Sequence, residues 1–197
     1  MTLKTLLIGS SVPTLMAAFA ISVPAAAIHE CVPGAPTAAS YTWDCKGETN
    51  RIFQDIQSDD QRVRSEADHL QSMARDSSLS WQSHEDHLNA VRDAVNDMGA
   101  KLCRLEMIRR VVAPWQQKEI DRIATTLRWM ADNTEDAIRF GNAHPQDLWM
   151  AAYQKYTDDL YDQARTLAHS VGAAVAYARA SKDYRNLTRE MGTAASS

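Results

Sequence analysis

The sequence predicts an all-α fold, an antiparallel up-down four-helix bundle with long helices. Apolar residues recur at three- and four-residue intervals through four segments of similar length, which is the spacing of one buried stripe along a helix. Runs of alternating β-branched residues, typical of strands, are absent from the sequence, and only seven of the 197 residues are glycine. Four comparable helices bury their stripes most completely when they pack side by side.

Residues 83–113 are the most regular of these segments. The stripe has one lapse, Arg109, and consists of Leu88, Val91, Val95, Met98, Leu102, Leu105 and Val112. Pro114 disfavours helical geometry at the residue before it and fits the first turn of the next helix, so we expect a turn at this point. Because the apolar phase nearly continues across residues 110–114, an alternative remains: a three-helix elongated rod with helices 2 and 3 fused and kinked at Pro114.

Helix 1 is expected to begin within residues 42–48 and to end near Arg75. Its stripe contains one charged residue, Asp60, among otherwise apolar or small side chains. A carboxylate at such a position is usually partly exposed or hydrogen-bonded across the bundle, and this is the expectation for Asp60.

Helices 3 and 4 complete the predicted bundle. Gly141 and Asn142 provide a stop for helix 3, and Pro145 an opening for helix 4. Helix 4 is expected to fray after about Ala180, although a few apolar residues could extend it: Tyr184, Leu187 and Met191.

The N-terminal residues have the pattern of a secretory signal peptide. Lys4 gives the positive start, an interrupted apolar run follows, and Ala25, Ala26 and Ala27 form a small-residue cleavage pattern. We therefore expect an exported protein, periplasmic or extracellular, without membrane insertion after cleavage. The expected parts are a signal peptide (residues 1–27), an irregular segment (28–41), a helical bundle (42–182) and a frayed helix end with a tail (183–197).

The charge balance limits the partners. The net charge is −4 at pH 7, and removal of Lys4 with the signal peptide makes it one unit more negative. The sequence shows no basic cluster beyond Arg109 and Arg110, which argues against nucleic acid and against an anionic membrane surface. The expected partners are an envelope protein or a second copy of the chain, bound through helix faces.

Three cysteines in an exported chain favour one disulfide and one leftover thiol. The simplest pairing joins Cys45 to Cys103, because antiparallel helices bring the start of helix 1 level with the last turns of helix 2. The expected levels still leave the two about 10 Å apart, so this disulfide requires a shift of register. Cys31 with Cys45 is the rival pairing. No CxxC or CxxCH motif occurs, which argues against thioredoxin-like chemistry and covalently attached haem.

Four of the six histidines are expected at one end of the bundle: His69, His84, His87 and His144. His84 and His87 are three residues apart on one helix, so both rings could point to one side. Imidazoles with nearby carboxylates are ligands of zinc or copper, which makes these four the candidate metal site. Solvated, hydrogen-bonded histidines at a bundle end are the competing interpretation, and no cofactor is required by the sequence.

Nucleophilic catalysis has no sequence support, since neither a GxSxG motif nor a glycine-rich phosphate loop is present. We therefore expect a non-enzymatic helical bundle that acts by binding or scaffolding in the cell envelope. Two alternatives are a bundle that binds a divalent metal through the histidines, and a periplasmic helical module that senses a small ligand.

Overall fold

Residues 45–194 are described by the structure, a computed structural model, and they form four long helices. The helices are α1 (Cys45–Met73), α2 (Trp81–Ile108), α3 (Pro114–Ala143) and α4 (Ala151–Ala194), with a 3-10 turn at Arg109–Val111. Each helix packs against the one before and the one after it, and α4 closes the ring against α1. This arrangement confirms the predicted all-α four-helix bundle.

The chain turns back between α2 and α3, so the fused three-helix rod is wrong. Ala113 is extended, with φ −63° and ψ 150°, and Pro114 is the first residue of α3. Proline disfavours the helical conformation at the preceding residue, and its own fixed φ suits a helix start. Two hydrogen bonds hold the turn, because Arg109 Nε and Nη2 donate to the Asp121 carboxylate at 2.8 and 2.7 Å.

The core is one continuous cluster drawn from all four helices, built on the predicted stripes. Its largest fully buried side chains are Tyr153, Phe53, Ile56, Leu70, Leu88, Met98, Leu105, Ile120, Ile123, Leu127, Met130 and Leu160. Packing of one apolar face per helix is the main source of helix stability in such a protein.

Gly141 lies inside α3 and does not end it, contrary to the sequence expectation. A Cβ atom at this position would lie 2.0 Å from Cζ3 of the Trp81 ring. The missing side chain therefore lets the first residue of α2 pack directly on α3, and close approach rather than helix termination explains the glycine.

Helix α4 differs from the prediction at both ends. It begins at Ala151 rather than at Pro145, because two successive turns precede it: Asp147 N donates to His144 O and Met150 N to Asp147 O, each at 3.0 Å. It runs to Ala194, through the stretch expected to fray. Within residues 45–194 no helix is long and apolar enough to cross a bilayer.

Candidate functional site

His69 and His87 come together at the contact between α1 and α2. Their ring centroids lie 5.4 Å apart. His87 Nδ1 is 2.6 Å from Glu66 Oε2, and this pair is partly buried. Glu66 and His69 are three residues apart, so one face of α1 presents both to His87. The sequence thus correctly predicted that these two histidines are neighbours.

His84 points away from that pair, into the core. It is fully buried, and its Nδ1 lies 3.0 Å from the Tyr153 hydroxyl of α4. Its Nε2 is buried without a hydrogen-bond partner. Burial lowers the pKa of His84, and the nearby His87 adds to that effect, so the ring is neutral at pH 7. The same burial raises the pKa of the Tyr153 hydroxyl. His84 is therefore a core residue.

His144 lies in the connection between α3 and α4 and joins neither group. Its ring packs on Phe140 at 4.8 Å between centroids, and its Nδ1 is 3.9 Å from Asp147 Oδ2. Among the residues that the structure describes, no group of three or more His, Cys, Asp or Glu side chains is arranged to hold a metal ion. The predicted convergence of four histidines is not found, and zinc or copper binding by this chain stays a prediction.

The predicted Cys45–Cys103 disulfide is wrong. Cys45 is a free, half-buried thiol that packs against the core. The register explains this, because Arg104 Nε bonds Glu48 Oε1 at 2.7 Å and so brings Cys103 level with a residue one turn beyond Cys45. The free thiol also contradicts the rival Cys31–Cys45 pairing, although Cys31 itself lies outside the described residues.

Asp60 is the most unusual side chain in the core. It is 0% exposed, and neither carboxylate oxygen has a hydrogen-bond partner. Burial raises the pKa of Asp60 to about 7, and the charge of Arg64, one turn along α1, offsets part of this rise. The sequence expectation of partial exposure or a cross-bundle hydrogen bond is therefore wrong for this residue.

Two other buried polar side chains, in contrast to Asp60, do have hydrogen-bond partners. Thr134 Oγ1 donates to Met130 O at 2.6 Å, four residues back on α3. Gln116 Nε2 donates to Asn50 Oδ1 at 3.0 Å, across to α1. Ionisation of a buried carboxyl without partners lowers the free energy of unfolding much more than the protonated form does. The stability of this fold therefore depends on the protonation of Asp60 and so on pH.

The C-terminal part of α4 exposes a run of large apolar side chains. Four large side chains there are more than half exposed: Tyr177 55%, Tyr184 72%, Leu187 58% and Met191 67%. With Ala180 they follow intervals of three and four residues, which places them in one stripe along the helix. Every residue in the range 182–192 is exposed, so nothing within the described chain covers the part of the stripe beyond Ala180, although Tyr177 contacts Trp115.

No family model, no curated protein and no solved structure matches the chain.

Proposed function

We propose that the protein is an exported, non-enzymatic helical bundle that scaffolds in the cell envelope by pairing the end of α4 with the same segment of a second copy. The observation that carries the proposal is the exposed stripe of Tyr177, Tyr184, Leu187 and Met191, called the α4 seam below. An exposed apolar stripe of this kind is a usual mark of an interaction surface.

The spacing of the α4 seam favours another helix as its occupant. Tyr177, Ala180, Tyr184, Leu187 and Met191 occupy the alternating a and d positions of a heptad repeat. This repeat places side chains where the facing helix of a coiled coil offers a hole between four residues. A flat surface or a small-molecule pocket requires no such periodicity.

The helical state of this segment also favours a partner. Residues 182–192 are helical yet make no buried contact within the described chain. Short helices without tertiary packing are only marginally stable in water, and most helical stability in proteins comes from packing of one face. Cover from a second copy would supply that packing.

The flanking charges favour a parallel pair. Asp183 precedes the Tyr184 position and Thr188 follows the Leu187 position, so the two flank the seam on opposite sides. In a parallel pair Asp183 faces Thr188 of the other copy, whereas an antiparallel pair would oppose Asp183 to the equally acidic Glu190. Like charges across such a contact destabilise it.

Sedimentation velocity of the mature chain tests the pairing. A seam with so few large side chains should give weak association, with a Kd on the order of 10–100 μM. The double variant Tyr184→Ser/Leu187→Ser should be monomeric at every concentration. Asn186→Ser lies on the same exposed helix outside the seam and should associate as the wild type does. A wild type that stays monomeric at the highest concentrations, or a double variant that associates equally well, contradicts the proposal.

Export is the second part of the proposal, supported by the signal-like pattern of residues 1–27. In an oxidising envelope, Cys31 and Cys103 are the two cysteines left to pair, because Cys45 packs against the core as a free thiol. The two thiols would lose two electrons and two protons to a disulfide-bearing oxidant of that compartment. Peptide mapping of envelope-purified protein without reductant should find an N-terminus at Ile28 and a Cys31–Cys103 link. An intact signal segment, or a link through Cys45, would refute this part.

A further inference from the structure

A basic cleft lies between the start of α1 and the C-terminal half of α4. It has a volume of about 570 Å³ and is lined by Lys46, Arg51, Arg179, Lys182 and Arg185, together with polar and small residues. None of the described acidic residues lines it, in a protein whose net charge is −4. From this geometry we infer that the basic cleft is a binding site for a small anion carrying two or more phosphate groups. The inference does not depend on the pairing of the α4 seam.

Among the described residues, the cations of the basic cleft lack carboxylate partners, which several other basic residues of the bundle have. Arg62 Nη2, for example, lies 3.0 Å from Asp97, and Lys155 Nζ lies 2.5 Å from Asp159. Within the described chain, none of the five cleft cations forms an ion pair. Like charges held together without counter-charges repel and create a positive potential, which attracts an anion.

The nearby acidic groups are turned elsewhere. Glu48 lies two residues after Lys46 but bonds Arg104 on the α2 side of α1. Asp183 follows Lys182 but does not line the cleft. Within residues 45–194, the acidic groups of these stretches of chain therefore do not cancel the positive potential in the basic cleft.

The α1 wall of the cleft, and the α4 wall as far as Ala178, are held in place by packing and hydrogen bonds, whereas Lys182 and Arg185 lie on exposed helix. The buried Gln116 of α3 donates to Lys46 O at 3.3 Å and to Asn50 Oδ1 at 3.0 Å, which fixes the first turns of α1. Trp115 packs between the two walls, with ring centroids 6.3 Å from Phe53 and 4.9 Å from Tyr177. The backbone that carries Lys46, Arg51 and Arg179 is therefore in place before a ligand binds, which reduces the entropy lost on binding.

The residue types indicate phosphate. Three guanidinium groups supply planar pairs of N–H donors that match two oxygens of a phosphate, and two ammonium groups add point charges. Asn50 accepts from Gln116 through Oδ1, so its Nδ2 group is left to donate into the cleft that it lines. Five positive charges exceed what one phosphate neutralises, and the volume suits a small ligand rather than a surface.

A second cleft on the same pair of helices is a weaker candidate. It is lined by Arg64, Arg165 and His169 but also by Asp162, which lies 3.7 Å from Arg165. An acidic wall and a paired arginine reduce its attraction for anions.

Isothermal titration calorimetry of the mature chain at low ionic strength tests the inference. The probes are orthophosphate, pyrophosphate and tripolyphosphate, with citrate as a carboxylate of similar charge. Affinity should rise from orthophosphate to tripolyphosphate, and citrate should bind more weakly than tripolyphosphate, because the arginine pairs select phosphate geometry.

Variants on both walls locate the binding. Arg51→Gln/Arg179→Gln should weaken tripolyphosphate binding by about 100-fold, since each charged hydrogen-bond pair lost corresponds to about tenfold or more. The control Arg128→Gln/Arg189→Gln removes the same net charge from exposed positions outside the cleft and should change the Kd by no more than about twofold. Lys182→Gln/Arg185→Gln changes only exposed side chains at the end of α4, so a loss of affinity there cannot reflect a damaged core.

Thermal unfolding without ligand provides the independent readout. Removal of one of several mutually repelling charges should leave Tm unchanged or raise it, whereas loss of a structural cation would lower it. Equal binding by wild type and cleft variants, an equal loss in the control, or no binding of any phosphate probe would each overturn the inference.

Discussion

Replacing Asp60 by asparagine should remove most of the pH dependence of stability that arises in the core. The folded chain holds the Asp60 proton up to a pKa of about 7, whereas an exposed aspartate has a pKa of 3.8. As pH rises between these two values, the unfolded chain releases the proton and the folded chain keeps it, so stability falls across this window. Above about pH 7 both states are ionised and the loss is complete.

The size of the effect follows from the two pKa values. Their separation of about three pH units corresponds to about 4 kcal/mol of free energy of unfolding, of which about 2.5 kcal/mol is lost between pH 5 and pH 8. The amide of the Asp60→Asn variant would also lack hydrogen-bond partners, but that cost does not change with pH. The difference in stability between wild type and Asp60→Asn, rather than either absolute value, therefore isolates the carboxyl.

Urea unfolding of both proteins across pH 4–8 measures this difference, provided that the transition is two-state. The free energy of unfolding of Asp60→Asn should increase relative to that of the wild type as pH rises. This difference should become constant above about pH 7. In an Arg64→Gln background, the pH at which the stability loss levels off should be higher, because the Arg64 charge lowers the Asp60 pKa. Parallel stability profiles for wild type and Asp60→Asn would show that this carboxyl is solvated or partnered, and would refute the reasoning.

Two further predictions concern packing and the buried histidine. Gly141→Ala should lower stability by about 1–2 kcal/mol in thermal unfolding, because its Cβ would overlap the Trp81 ring. Gly99→Ala should raise stability by up to about 1 kcal/mol, because a Cβ there would meet nothing within 4 Å beyond its own stretch of helix. A stabilising Gly141→Ala would contradict the close contact. Tyr153→Phe should cost about 1–3 kcal/mol, because it leaves both ring nitrogens of His84 buried without partners; a loss below about 0.5 kcal/mol would contradict this hydrogen bond.

The helices were predictable because their signal is local. Three-four spacing of apolar residues and the geometry around Pro114 both act within a few residues of chain, and each defines a helix or its start. Gly141 was misassigned since its reason is a contact with Trp81 on another helix, which no local pattern reveals.

The histidines show the limit of spacing arguments. Residues three apart on a helix differ in direction by about 60°. At a helix contact this separates His84, which enters the core, from His87, which meets Glu66 on α1. The sequence predicted the position of both histidines along the bundle axis, but not the direction in which each side chain points. That direction decides whether the imidazoles can share a metal ion.

The basic cleft was missed for a different reason. Arg51 and Arg179 belong to the first and last helices, so the sequence shows scattered charges where the fold makes a cluster. The residues Arg179, Lys182 and Arg185 do recur at three-residue intervals on α4, opposite to the α4 seam, and this pattern was the only sequence signal available.

Hydrogen exchange of the amides in residues 182–192, measured as a function of protein concentration, tests the proposed pairing of α4 most directly. We expect fast exchange at low concentration, protection that grows as copies associate, and no such growth in Tyr184→Ser/Leu187→Ser. Exchange that is independent of concentration in the wild type would contradict the proposal that a second copy covers the α4 seam.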